Sequence, residues 1–361
     1  MYNFIKLLEL MNDKDVNATD LHLKVGLRPA YRINKQLVFF GKEVLTMENM
    51  IQILKENFDP KYLKELELNG SFDYGISVGN IRFRLNVFKT QGAIGISARK
   101  ILEPPSNFDS LNLPSELIEK IIQKQKGLII ISGVAGSGKT TTAAAIIEYI
   151  NQNLAKRIVT IEDPIEYVFT DNKSFITQRE VGIDTPSFER GLRDALRQDP
   201  DIIFLGELRD SQSAWIAINA AETGHMVITT IHSDTTTKTI YRIMDMFKEE
   251  QRDIVREALM NSMTAIICQK LITSIKTGNL MPVVEIMVST PTIRGLIRDN
   301  DLPKIYEYIL NGEYDGMITF GKSLKKLVEE GHITRNMAIT LTEHPEELMH
   351  TQENKDSGFL W

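Results

Sequence analysis

Apolar and polar residues alternate most regularly between residues 72 and 87. Phe72, Tyr74, Ile76 and Val78 occupy every second place, Gly79-Asn80 interrupts, and Ile81, Phe83, Leu85 and Val87 resume. A period of two marks a half-buried strand, and a two-residue, Gly-first interruption marks a tight hairpin turn. Arg82, Arg84 and Asn86 therefore share the opposite face. A third strand, Ala93 to Lys100, follows a turn at Gln91-Gly92 and carries Arg99. Upstream, Phe4, Ile5, Leu7, Leu8 and Met11 are spaced for an amphipathic helix. Leu21 to Val25, Tyr31 to Ile33 and Leu37 to Phe40 predict strands, the last two paired around Asn34-Lys35. Met50 to Phe58 and Tyr62 to Leu68 predict helices. Residues 1–102 read as a small α/β domain. Pro104-Pro105-Ser106-Asn107 fits neither period, so a linker is expected over 103–115, closed by Pro114.

Beyond a helix at Leu117 to Gln125, short, largely apolar runs replace the alternation. Leu128 to Ile131, Arg157 to Ile161, Asp201 to Leu205, Met226 to Ile231 and Pro282 to Val288 predict buried strands. Helical patterns separate them at Thr140 to Ile150, Ser187 to Gln198, Ser211 to Glu222, Thr235 to Met246 and Arg252 to Leu271. Buried strands alternating with helices predict an α/β core over 116–289. From Thr290 only helical spacing remains, carried by Ile293, Leu296 and Ile297, then Ile305, Tyr308 and Ile309, then Phe320, Leu324 and Leu327, then Met337 to Leu341. A helical subdomain is expected over 290–350, with a loose tail at 351–361.

Between the first apolar run of that core and its helix lies Gly133-Val134-Ala135-Gly136-Ser137-Gly138-Lys139-Thr140, followed by Thr141. Strand, glycine-rich turn, Lys-Thr and helix make a P-loop, and residues 133–141 are the expected ATP-binding set. Its glycines let backbone N–H groups converge on phosphate oxygens, and the helix N-terminus favours an anion. Lys139 would reach the outer phosphates and Thr140 would ligate Mg²⁺. Two further strands end in acids: Glu162-Asp163-Pro164-Ile165-Glu166 after the first, and Gly206-Glu207 after Leu205. Carboxylates beyond the C-terminal ends of parallel strands lie where open α/β sheets bind ligands. The acid expected at the second tip is displaced by one residue, from Gly206 to Glu207.

The chain has 361 residues, enough for two domains. Its net charge of −6 disfavours a general grip on nucleic acid, which needs a basic surface. Cys268 is the single cysteine, so no intrachain disulfide or cysteine-ligated zinc module is expected. His225 and His232, seven apart, lack a third zinc ligand and read as core or sensor histidines. No leader pattern or membrane-length apolar run is evident, and a cytoplasmic location is expected.

Four motifs in order make the chain resemble the type IV pilus retraction ATPases of the PilT/PilU kind, within the secretion-type hexameric ATPase superfamily. They are the P-loop, the acidic box Thr160 to Tyr167, the atypical Walker B segment Gly206-Glu207-Leu208-Arg209-Asp210, and the His box from Thr223-Gly224-His225 to Thr230-Ile231-His232. The resemblance runs from about Asp20 to about Leu348. It implies a PAS-like N-terminal domain, a RecA-like ATPase domain, and a homohexamer with ATP between domains and subunits. It also implies work at an inner-membrane platform protein of the PilC kind, a peripheral place at that membrane, and a paralogous retraction ATPase as a further partner. By motif position Glu166 is the general base. Glu207 takes the Walker B role, and Glu162 and Asp163 orient the Mg²⁺ shell. An arginine finger is expected among Arg82, Arg84, Arg99, Arg193, Arg197 and Arg209, with His232 as a γ-phosphate sensor. Thr292 to Arg298 matches the family's retraction motif except at Thr292 and Gly295, which leaves main motor and accessory paralogue both open. An extension or secretion motor, a nucleotide-gated regulator with little turnover, and a nucleic-acid translocase are the alternatives weighed. The first usually bears an extra N-terminal domain and a four-cysteine zinc module, the intact acids speak against the second, and the acidic charge balance against the third.

Overall fold

The computed structural model describes residues 2–13, 16, 18–33, 36–79 and 81–349. The expected turn at Asn34-Lys35, Asn80 of the hairpin turn and the tail 351–361 lie outside the described residues. The chain divides into two compact units, Met1–Glu103 with Glu166–Val168, and Pro104–Ile165 with Phe169–Trp361. The excursion at Glu166–Val168 was not expected. It arises because Tyr167 bridges Leu102, and the Val168 N–H donates to the Leu102 carbonyl at 3.2 Å.

The first unit is a six-stranded antiparallel sheet backed by helices. Its strands are β1 (Asp20–Lys24), β2 (Ala30–Ile33), β3 (Gln36–Phe39), β4 (Ser71–Val78), β5 (Ile81–Thr90) and β6 (Ala93–Lys100), in the order β3-β2-β1-β6-β5-β4. The alternation read in β5 is real: Phe83, Leu85 and Val87 are fully buried. They share a core with Phe4, Leu7 and Leu8 of the helix Phe4–Leu10, Met50, Ile53 and Leu54 of Met47–Asn57, and Leu66 of Pro60–Asn69. Gln91 and Gly92 turn the chain between β5 and β6 with φ of +52° and +75°, joining the pair Thr90↔Ala93. On the other face, register sets Arg32, Asp20, Arg99 and Arg84 in one row across four strands. Asp20 anchors the row, with its carboxylate 2.7 Å from Arg99 Nε and 3.8 Å from Arg32 Nε. Burial pushes the Asp20 carboxyl up, but hydrogen bonds from Arg99 and Thr19 outweigh it and hold the group below its ordinary value.

The second unit is built on a seven-stranded sheet. Its strands are β7 (Gly127–Ser132), β8 (Arg157–Glu162), β9 (Phe175–Glu180), β10 (Ile202–Leu205), β11 (Met226–Ile231), β12 (Met263–Thr273) and β13 (Leu280–Val288). The order is β13-β12-β7-β11-β10-β8-β9, parallel throughout except at the β12–β13 pair. Two elements depart from expectation. The helix read over Arg252 to Leu271 ends at Ser262, and the remainder is β12. Met263 to Gln269 are all buried because β12 is sandwiched between β7 and β13. A continuous apolar run has no period to separate strand from helix, so flanking context alone decides it. β9 was not anticipated: it is the sheet's edge, mostly half-exposed, and lacks the apolar signature of its neighbours. The C-terminal helices rest on β12 and β13, where Phe320, Leu324, Leu327, Ile333, Ala338 and Leu348 share a cluster with Cys268, Met281 and Val283.

Candidate active site

The parallel arrangement decides what meets what. β7, β11, β10 and β8 are consecutive neighbours, so their C-terminal ends lie along one edge of the sheet. That edge receives in turn the P-loop after β7, His232 after β11, Glu207 after β10, and Glu162 and Asp163 at the end of β8.

The P-loop is closed by contacts that only glycine permits. A Cβ on Gly133 would stand 2.3 Å from Ser137 Oγ and 2.4 Å from the Gln269 carbonyl oxygen. A Cβ on Gly138 would stand 2.8 Å from Gln269 Nε2, and Gly138 has φ +87°. Val134, Ala135 and Gly136 form the exposed rim, whereas Ser137 and Lys139 are buried. Lys139 Nζ donates to the carbonyls of Gly133 at 2.9 Å and Val134 at 3.1 Å, so the ammonium sits inside the loop. Thr140 and Thr141, both half-buried, open the helix Lys139–Asn153. Ser137 Oγ is buried with no hydrogen-bond partner among the described residues, an arrangement suited to an added oxygen acceptor.

From the P-loop a series of polar contacts runs along the strand tips. Lys139 Nζ lies 3.5 Å from His232 Nδ1, and His232 Nε2 lies 3.5 Å from Glu207 Oε1. Glu207 Oε2 accepts from Arg209 Nε at 2.9 Å, and Arg209 Nη1 reaches Asp163 Oδ2 at 3.0 Å. Arg209 thus joins two acidic motifs that are 44 residues apart, counting from Asp163 to Glu207, and its guanidinium also lies over the Phe188 ring. Glu162 is buried and accepts from Thr160 Oγ1 at 2.6 Å and Gln178 Nε2 at 3.2 Å. At the second tip a Cβ on Gly206 would stand 3.3 Å from the Ile161 carbonyl oxygen and 3.4 Å from Glu162 Cα, a close fit beside β8.

With this geometry in place the resemblances have content. The family described as type II/IV secretion system protein matches residues 67–292. The chain belongs to that family. It is 37% identical over 330 residues to the type IV pilus retractation ATPase PilT of Pseudomonas aeruginosa, covering 91% of this chain and 95% of that protein. It is 32% identical over 337 residues to the type IV pilus ATPase PilU of the same organism, covering 93% and 87%. A crystal structure of the pilus retraction motor PilT with bound ADP superposes with a TM-score of 0.87 at 38% identity, covering 97% of this chain and 99% of that one. Within the family this is an ATPase of the PilT/PilU, pilus-retraction type.

Not every expected residue of this secretion-family site joins the series. Glu166 is exposed and makes no hydrogen bond or ion pair among the described residues; it lies in the segment that groups with the first unit. His225 stands just before the N-terminal end of β11, the far end from His232, with Nδ1 3.0 Å from the Ala220 carbonyl oxygen. Arg193 is exposed and paired with Glu189, and Arg197 is exposed. Arg82 and Arg84 lie half-buried on the polar face of β5, Arg84 3.8 Å from Asp73. Arg99 is held by Asp20.

Gln269 escaped the sequence reading, and Gln178 and Glu180, in a stretch that resembles the family, had no role assigned there. Gln269 of β12, buried, accepts from Thr142 Oγ1 at 2.7 Å and donates to the Ser137 carbonyl, bracing the P-loop from the next strand. Gln178 and Glu180 of β9 hold the acidic box: besides the bond to Glu162, Gln178 accepts from the Phe169 N–H at 3.0 Å, and Glu180 accepts from the Ile165 N–H at 3.2 Å. Strand assignment of β9 and β12 was the missing signal. Once each is a strand, its alternate residues face the loop beside it.

Proposed function

We propose that this chain works as a ring of six copies that hydrolyses Mg²⁺-bound ATP and couples turnover to withdrawal of subunits from a type IV pilus. The force would act on an inner-membrane platform protein of the PilC kind, with a paralogous retraction ATPase as a second partner. The reading is carried by the contact series from Lys139 through His232, Glu207 and Arg209 to Asp163, set along one sheet edge. No helix among the described residues is long and apolar enough to cross a membrane, so attachment would come through the pilus machinery.

In this reading the P-loop amides and Lys139 bind and neutralise the phosphates, and Glu207 aims the attacking water. Proton acceptance falls to Glu166 by its place in the acidic box. His232, between Lys139 and Glu207, senses the outer phosphate. The finger would come from another copy, with Arg82, Arg84 and Arg99 of the first unit the leading set. No group of three or more His, Cys, Asp or Glu among the described residues could hold a metal unaided. Mg²⁺ fits this, because it keeps several waters and binds chiefly through substrate phosphates. Thr140 would contact it, with Glu162, Asp163 and Glu207 acting through water, and its contribution is to neutralise charge on the phosphates. ATP turnover of the purified chain with Lys139→Ala as control tests the chemistry, a fall of about 100-fold or more being expected. Counting pili in a deletion strain tests the direction: surplus pili without motility fit retraction, and bald cells would refute it.

A further inference from the structure

The loop that follows His232 is fastened to the strands beside it. Register sets Ile231, Ser132, Cys268 and Glu285 in one row across β11, β7, β12 and β13. The row starts one residue before His232 and ends at β13, the outermost strand in the order. Two members of the row hold the chain after β11. The Cys268 thiol donates to the Ser233 carbonyl at 3.7 Å. Glu285 Oε1 accepts from both the N–H and the hydroxyl of Thr236, each at 2.8 Å. Thr236 opens the helix Thr236–Asp245, so a carboxylate 49 residues away in sequence meets the start of that helix.

Glu285 is only 3% exposed and takes no part in the contact series from Lys139 to Asp163. A buried carboxylate is costly unless it is hydrogen-bonded. Burial pushes its carboxyl up, and the two bonds from Thr236 oppose that shift. The place itself suits an acid, because the first N–H groups of a helix lack partners within it and the dipole there favours negative charge. Thr235 Oγ1 serves another of these groups, the Lys238 N–H at 3.2 Å, and is a local cap. What Glu285 adds is attachment to β13. Four peptide units lead from His232 to Thr236, a reach of at most roughly 14 Å when fully extended. An anchor at Thr236 therefore limits where the imidazole can stand.

We propose that Glu285 is a positioning residue for His232. By fixing the start of the helix Thr236–Asp245 to β13, it sets the loop that brings the imidazole within 3.5 Å of Lys139 Nζ and of Glu207 Oε1. The proposal rests on the reading of His232 as the sensor of the outer phosphate. A sensor separates ATP from ADP only while its ring is held at the place of the third phosphate. Loosening the loop costs recognition of that phosphate and leaves the grip of the P-loop on the inner two.

Calorimetric titration of the full chain with Mg²⁺-ADP and with a Mg²⁺-bound non-hydrolysable ATP analogue tests this. Glu285→Ala and Thr236→Val weaken the contact from either side, and thermal melts verify folding. Thr236→Val keeps the side-chain volume and decides the matter alone where Glu285→Ala does not fold. Each variant should bind the analogue about fivefold or more weakly, bind ADP within about twofold of the wild type, and add nothing to the loss in His232→Ala. Equal losses for both nucleotides would overturn the proposal, since they mark a merely structural role. So would a loss that persists undiminished in the His232→Ala background, or unchanged binding of the analogue in a folded variant. His232→Ala by itself reports on the underlying reading: if it keeps the wild-type preference for the analogue over ADP, the sensor role falls and this proposal with it.

Discussion

Arg209 Nε lies 2.9 Å from Glu207 Oε2, a contact within one motif that also sets the direction of the acid. The same guanidinium holds Asp163, so the two acidic motifs are fixed relative to each other by a cation of their own chain. Half the Arg209 side chain is exposed, so the pair contributes little to stability, on the order of 0–1 kcal/mol. Its effect should fall on turnover. Arg209→Gln is expected to lower kcat about tenfold or more and leave nucleotide affinity within about threefold, as judged by steady-state kinetics and nucleotide titration. Arg209→Lys should recover only part of the loss, because an ammonium cannot fork between two carboxylates. Equal losses in binding and kcat would show that Arg209 acts on the nucleotide itself.

Gln269 supports the P-loop from β12. Removing it leaves the Ser137 carbonyl and the Thr142 hydroxyl without this partner in a buried place. Gln269→Ala should destabilise the protein by about 2–3 kcal/mol and raise the ATP KM. A melting curve and a KM measurement check the two effects separately.

Asp20 ties stability to pH. Its folded-state pKa lies below the ordinary value, so its contribution is present above the unfolded-state pKa of about 4 and is lost as pH falls through the depressed folded value. Asp20→Asn should therefore melt lower than the wild type at pH 7, and the two should converge in strong acid. A gap that persists below about pH 2 would assign the effect to shape.

Cys268 is fully buried, and burial pushes its thiol up to about 12. A thiol reagent at pH 8 should leave the folded protein untouched and titrate one thiol per chain in denaturant. Prompt labelling of the native protein would mean that the sheet beneath the C-terminal helices opens readily.

Gly133 is the tightest point of the P-loop. Gly133→Ala should abolish detectable nucleotide binding, because the added methyl meets the backbone carbonyl of Gln269 as well as the movable Ser137 hydroxyl. Near-normal binding in a fluorescent nucleotide titration would refute that steric account.

The stretches proposed to carry the chemistry could be picked out in the sequence because each is contiguous. A phosphate cradle needs its glycines, lysine and threonine in one turn, and carboxylates at strand tips follow directly on apolar runs, so Gly133 to Thr140, Glu162 and Glu207 could be read from order alone. Regular alternation likewise exposed β5 and its hairpin, because one wet and one dry face leave a period of two. What lacked a period was misread or missed: β12, dry on both sides, was taken for helix, and β9, wet at the edge, was not seen. With those strands went the positioning roles of Gln269, Gln178 and Glu180, which exist only across a sheet. The choice of Arg209 as the partner of Asp163 and Glu207, the placement of Glu166 with the first unit, and the meeting of Glu285 with Thr236 were likewise decided only by tertiary structure. Each depends on which strands lie side by side, and that neighbourhood is set by burial summed over the whole sheet, which no local stretch of sequence contains.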